Sequence, residues 1–281
     1  MAPALMYADR SERGKLRFTG PQRAWFLHQI LTQDFETIAP GESRPAALLT
    51  AHGRMVGFME VVATEDALLM HFEPELSTTL PDAISRYVLA TDVQIEDVTD
   101  SMGLLLVAGK GALDVVRDLG PAVTVHETDE LGIPAAYVWI ERGHVGAVAA
   151  AVAEKGAVTA TEEQLEGIRI ANGIPRWGRD MDDKTFPQEV GIDERAVHYD
   201  KGCYVGQEAM AKIHLRGKVN RRLRVLEARE PLAPSSELVA GTETVGTVTS
   251  VAGNKALGMM RYTVYPGDVV RAGDREVRVT G

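Results

Sequence analysis

Lys201-Gly202-Cys203-Tyr204-Val205-Gly206-Gln207-Glu208 holds the only cysteine of the chain. A thiol between glycine and tyrosine, with Lys201 nearby, can be exposed and biased toward thiolate. A helix starting at Gly206-Gln207-Glu208 would add to that bias through its unpaired amides and its dipole. A solitary cysteine is more commonly a small buried hydrophobe, so composition alone favours packing. One cysteine forms no internal disulfide, and clusters or structural zinc sites normally take several thiolate or imidazole ligands. No stably bound metal is therefore expected.

The rest of the chain bounds what this segment can serve. Its 281 residues are 45% hydrophobic and 25% charged, enough for two or three compact units with buried cores. Thirty Lys+Arg against 40 Asp+Glu give a net charge of -10, which opposes nonspecific attraction to polyanions. An anionic ligand therefore needs a local basic patch, and one follows the cysteine. Lys212, His214, Arg216 and Lys218 alternate with Ile213 and Leu215, so a strand here would have a basic and an apolar face. Arg221, Arg222 and Arg224 continue it, with no acid from Lys212 to Arg224. Such a stretch suits an anionic ligand, RNA or an acidic partner, and equally a solvated face. No run approaches the roughly 18 apolar residues of a membrane span, and Met1 to Lys15 lacks an apolar core behind basic residues. A cytoplasmic, uncleaved protein without membrane contact is expected.

Downstream of Arg221, short strands at Leu223 to Leu226, Glu237 to Ala240, Val245 to Val251, Ala256 to Thr263 and within Val269 to Val279 are separated by Gly, Pro and Asn. That pattern predicts a small antiparallel barrel. Upstream, Gly20-Pro21 opens a helix through Leu31. Ala46 to Thr50 and Met55 to Val62 form a hairpin turned at His52-Gly53-Arg54. A strand at Ala67 to Phe72, a helix carrying Leu76, Leu80, Ile84 and Val88, and a strand around Val93 to Thr99 complete a ferredoxin-like α+β layer. A second α+β segment runs from the strand Gly103 to Ala108 through helices at Ala112 to Leu119, His144 to Glu154 and Thr161 to Ile170. The predicted domains are 1–100, 101–220 and 221–281, in the α+β class. Gly109-Lys110-Gly111 lacks both the third glycine of a dinucleotide site and the end of a phosphate loop, so it reads as a turn. Asp180, Asp182 and Asp183 lack calcium-loop spacing and read as turn and cap residues. His198 and His214 read as surface residues.

The cysteine segment resembles the signature of the YgfZ-like folate-binding family within the glycine-cleavage T-protein superfamily. The resemblance continues at Arg169-Ile170, Gly173-Ile174-Pro175, Asp180, Pro187-Gln188-Glu189, Arg222 and Gly246-Thr247-Val248-Thr249-Ser250. It implies T-protein-like α+β domains around a central channel with a terminal β-barrel. It also implies a bound tetrahydrofolate or derivative, and a role with iron-sulfur proteins or their assembly factors. The motif Lys201, Gly202, Cys203, Tyr204, Gly206, Gln207 and Glu208 would carry that role, with Cys203 as the functional thiol. Where the family motif continues with alanine and arginine, this chain has Ala211 and Lys212, which keeps the charge without the bidentate fork.

Aminomethyltransferases of the superfamily place a catalytic aspartate after the hairpin turn, where this chain has Val56, Gly57, Phe58 and Met59. Without that carboxylate, conventional aminomethyl transfer loses its obvious acid-base group. Glu60 reads as a solvent-facing strand residue. For folate, Arg54, Trp177, Glu189, Tyr204 and Arg222 are candidates, Glu189 as the acceptor at the pterin edge. A folate-dependent one-carbon transferase and an RNA-linked or protein-docking module acting through Lys212 to Arg224 stand as alternatives.

Overall fold

In the computed structural model, which describes residues 3–281, the chain forms two compact units, each gathered from separated stretches. The first takes the chain up to Thr50, Val56–Thr161 and Arg195–Val205; the second takes Ala51–Met55, Glu162–Glu194 and Gly206–Gly281.

The first unit holds β1 (Met6–Asp9), β2 (Gly14–Thr19), α1 (Arg23–Ile30), β3 (Ser43–Leu49) and β4 (Met55–Ala63, entering from the second unit). There follow β5 (Leu68–Phe72), α2 (Thr79–Ser85), β6 (Gln94–Asp97), β7 (Met102–Ala108), α3 (Ala112–Arg117), β8 (Thr124–Thr128), β9 (Ala135–Glu141), α4 (Val145–Glu154) and β10 (Val158–Thr159). They make two five-stranded sheets, ordered β3-β4-β5-β2-β6 and β10-β1-β7-β9-β8. On one face of the second sheet, Leu105, Val107, Val138 and Ile140 pack with Val116 of α3 and Val152 of α4. Residues of the opposite parity, Tyr137 and Trp139, meet His71 of the first sheet, as the two-residue period of a strand requires.

Three readings change here. The hairpin strands, the Ala67 to Phe72 strand and α1 form where expected, but β1 and β2 were not legible. Lys15, the second residue of β2, is fully buried, its ammonium donating to the carbonyls of Ser11 (2.8 Å) and Arg13 (2.7 Å). Lys15-Leu16-Arg17-Phe18-Thr19 does alternate, but over so few residues that the pattern is short, and the lysine gives no sign that its side is buried as well. With β2 the first sheet gains a strand over the ferredoxin-like pattern. The helix expected over Leu76 to Val88 is broken into a 3-10 turn at Pro74–Leu76 and α2. Pro81 in the first turn of α2 has no N–H to carry the ladder back.

The second unit contains α5 (Glu162–Ala171), α6 (Asp193–Ala196, running into the first unit), α7 (Gln207–Arg216) and the six strands β11 (Arg221–Ala228), β12 (Glu237–Ala240), β13 (Glu243–Ala252), β14 (Lys255–Arg261), β15 (Val269–Ala272) and β16 (Arg275–Val279). The strands close into an antiparallel barrel ordered β11-β14-β13-β12-β15-β16, filled by Leu226, Leu238, Val248, Met260 and Val277. Helix α5 packs on β13 and β14. The barrel is as predicted, but the basic stretch before it is helical. Gly206 and Gly217, both left-handed, frame α7, and Met210 is buried while Leu215 is 84% exposed. On a strand Leu215 would share the face of Ile213; on a helix it turns outward. Among the described residues no helix is long and apolar enough to cross a membrane.

Candidate functional site

The cysteine loop is held by its neighbours. Lys201 is buried, and its ammonium donates to the carbonyls of His28, Leu31 (2.6 Å) and Gln33 (2.9 Å), where α1 ends. Burial pulls its pKa down to about 7, with Asp34 and Glu36 opposing. The same ammonium lies 4.8 Å from the centre of the Tyr204 ring, a cation-π contact. Tyr204 is buried and its hydroxyl has no hydrogen-bond partner; burial pushes its pKa up to about 12. Between these two anchored side chains Cys203 is exposed. Lys201 is thus committed to the backbone of the α1 terminus, which rigidifies the loop that presents the thiol.

His28 borders the same loop: a Cβ built on Gly202 would lie 3.7 Å from its Nε2. The imidazole is buried and its Nδ1 lies 2.8 Å from Asp34 Oδ1. Burial pushes the Asp34 carboxyl up, but the Thr37 hydroxyl, His28 and the amide of Glu36 together hold it at about 2. This neighbourhood is tertiary, since Gly202 lies far from His28 in the chain.

In the second unit the expected ligand residues divide. Arg54, after the left-handed Gly53, stacks its guanidinium 4.7 Å from the Phe186 ring centre and donates to the Lys184 carbonyl. Arg221 donates to the same carbonyl (3.1 Å) and grips Glu189 through Nε (2.9 Å) and Nη2 (3.1 Å). Glu189 also accepts from the Phe186 amide (3.0 Å). Trp177 is buried and bridges to Met181. Arg222 is exposed, pointing opposite to Arg221 as alternation on β11 dictates. Arg54, Glu189 and the overlooked Arg221 and Phe186 are therefore brought together.

Other matched residues form a strut. Buried Arg169 of α5 donates to Asp180 Oδ2 (2.7 Å), to Ser250 Oγ (2.8 Å) and to both oxygens of Glu166 (2.6 Å each). Asp180 also accepts from the hydroxyls of Thr249 (2.5 Å) and Ser250 (2.8 Å) and the amide of Arg176 (3.1 Å). This exceeds the turn role expected of Asp180, whereas Asp182 does cap its turn through the Lys184 amide and the Thr185 hydroxyl. His198 and His214 are exposed as expected.

Glu60 overturns its expectation. It is 9% exposed, accepts from the Thr128 hydroxyl (2.9 Å), and lies beside His71 and His126. Burial pushes its carboxyl up, but the two imidazoles, His126 foremost, override this and hold it well below the usual range. A hydrophobic strand read alone does not show that a second sheet brings imidazoles to it.

The architecture defines the class. The chain belongs to the glycine-cleavage T-protein superfamily as a YgfZ-like member, matching the model described as GCVT N-terminal domain over residues 3–201 and that described as CAF17, C-terminal beta-barrel domain over residues 220–281. Its fold matches the aminomethyltransferase T of the glycine cleavage system from Bartonella henselae with a TM-score of 0.88 at 16% identity, covering 99% of this chain and 85% of that one. Among sequence relatives, a putative chloroplastic transferase of Arabidopsis thaliana is 24% identical over 89% of this chain and 62% of its own length. The chain therefore spans less than two thirds of that relative. An aminomethyltransferase of Streptomyces coelicolor is 25% identical, covering 89% of this chain and 75% of that protein. The tRNA-modifying protein YgfZ of Colwellia psychrerythraea is 22% identical, covering 81% and 73%.

Proposed function

We propose that this protein is a cytoplasmic folate-binding accessory factor that assembles or repairs iron-sulfur proteins through Cys203. The observation that carries the reading is the exposed thiol on a loop whose flanking Lys201 and Tyr204 are both buried anchors. A purely structural cysteine would be buried with its neighbours; this one is presented. The absence of a carboxylate at Val56 to Met59, with Glu60 turned toward Thr128 and two imidazoles, supports an accessory role over conventional aminomethyl transfer.

The residues present fit a reduced folate. Trp177 offers a flat apolar surface, and Glu189, fixed by Arg221 and Phe186, keeps acceptor capacity because a carboxylate has about four lone-pair sites. Arg54, stacked on Phe186 in the same cluster, supplies charge for the glutamate tail. When bound, the folate would supply a one-carbon carrier; the chain's own residues position it and present the thiol. Anaerobic calorimetry with tetrahydrofolate on reduced protein is expected to show saturable binding that weakens in Trp177→Ala. In deletion cells, Cys203→Ala is expected to fail to restore cluster-enzyme activity. Full restoration by that variant rules out the thiol role, and steady turnover of an aminomethyl donor with tetrahydrofolate would promote the transferase reading.

The exposed Lys212 and Arg216 of α7, with Lys218 just beyond its C-terminal Gly217, favour a second reading as an RNA or acidic-partner surface. RNA binding that falls with salt and is lost when Lys212, Arg216 and Lys218 are neutralised would support it; unchanged binding would reject that surface.

A further inference from the structure

Glu60 and His71 are direct cross-strand partners in β4 and β5, and His126 is the cross-strand partner of Tyr137 in β8 and β9. The two pairs face one another inside the first unit, where the His71 ring centre lies 5.5 Å from that of His126 and 4.5 Å from that of Tyr137. Glu60 Oε2 is 3.5 Å from His71 Nε2 and 3.8 Å from His126 Nε2, and one ligand atom from each residue lies within 4.8 Å of the others. The two Glu60 separations are long for hydrogen bonds and near the roughly 3.3 Å between neighbouring ligand atoms on a tetrahedral ion with bonds of about 2.0–2.1 Å, so closing the set on an ion asks for a small inward shift of the imidazoles.

Polar accounting points the same way. Both nitrogens of His126 and Nε2 of His71 are buried without a hydrogen-bond partner, and the His126 side chain is fully buried. Orphaned imidazoles at such depth need a reason. The neighbouring cation is already matched: Arg13 lies 2.7 Å from Glu73 and 2.8 Å from Glu130, which leaves the Glu60 carboxylate with only the two imidazoles and the Thr128 hydroxyl around it.

We propose that Glu60 Oε2, His71 Nε2 and His126 Nε2 bind one divalent transition-metal ion of the zinc class between the two sheets of the first unit. Two imidazoles and a carboxylate suit zinc and its first-row neighbours; magnesium and calcium prefer all-oxygen sets. The Thr128 hydroxyl orients Glu60, while Tyr137 and Trp139 form the surrounding wall. Metal at Nε2 puts the His71 proton on Nδ1, so the 3.3 Å approach of Arg13 Nη1, then donor to donor, has to open while Arg13 stays held by Glu73 and Glu130.

The test uses the full-length protein, stripped with a chelator and titrated with Zn²⁺ against a competing chromophoric chelator, with X-ray absorption at the zinc edge. Expected are one zinc per chain, a shell of two imidazoles and oxygen without sulfur, and a raised melting temperature, all retained in Cys203→Ser. His126→Ala and Glu60→Gln are expected to weaken binding roughly tenfold or more. No stoichiometric zinc in the wild type, a sulfur ligand, or unchanged affinity in both variants would overturn the site. Should the variants not fold, the wild-type ligand shell decides alone.

Discussion

Arg169 and Asp180 are among the residues whose loss should cost most. Both side chains are almost fully buried and joined at 2.7 Å. Without Asp180, Arg169 keeps Glu166, but the Thr249 and Ser250 hydroxyls and the Arg176 amide lose their acceptor, so Asp180→Ala is expected to destabilise by about 1–3 kcal/mol in urea unfolding. Lys201→Met should cost about 1–3 kcal/mol, because three backbone carbonyls lose their donor. Asp34 sets an acid limit. Its folded pKa of about 2 lies below the unfolded 3.8, so its stabilisation is fully present above pH 3.8 and is lost as pH falls through about 2. Unfolding curves across that window should be shallower with pH in Asp34→Asn than in the wild type. None of these partnerships was legible from the residues alone, since Arg169 meets Ser250 and Lys201 meets His28 only after folding.

At the scale of elements, the Met55 to Val62 strand was legible because its turn glycine is obligatory. Gly53 sits at φ +80, and a Cβ there would lie 2.9 Å from Ala209 of α7. Gly53→Ala is expected to destabilise by at least the roughly 1–2 kcal/mol of a left-handed alanine, read as a lowered melting temperature. Helix α7 shows the limit of periodicity: Lys-Ile-His-Leu-Arg alternates like a strand, and the left-handed glycines at both ends decide for a helix. Leu215→Lys, at the exposed end of that helix, is expected to change stability by less than about 0.5 kcal/mol.

For the whole molecule, the units are not consecutive in sequence. The barrel is closed by β11 to β16, yet α5 packs on β13 and β14, and Asp180 accepts from Thr249 and Ser250. Residues 220–281 expressed alone are therefore expected to give a non-cooperative thermal transition and poorly dispersed amide spectra. Adding back residues 162–219 is expected to sharpen both. A sharp transition from 220–281 alone would show that the strut is dispensable.

The sequence by itself determined the family, the α+β class, the barrel strands and the prominence of Cys203, because turn glycines, strand alternation and a contiguous motif are local signals. Only the tertiary structure decided that Lys201 is an anchor, that Arg221 rather than Arg222 grips Glu189, and that Glu60 is buried with two imidazoles. Those facts depend on which faces of distant strands meet, and burial of a charge leaves no mark in the local pattern, as Lys15 in the alternating strand β2 illustrates.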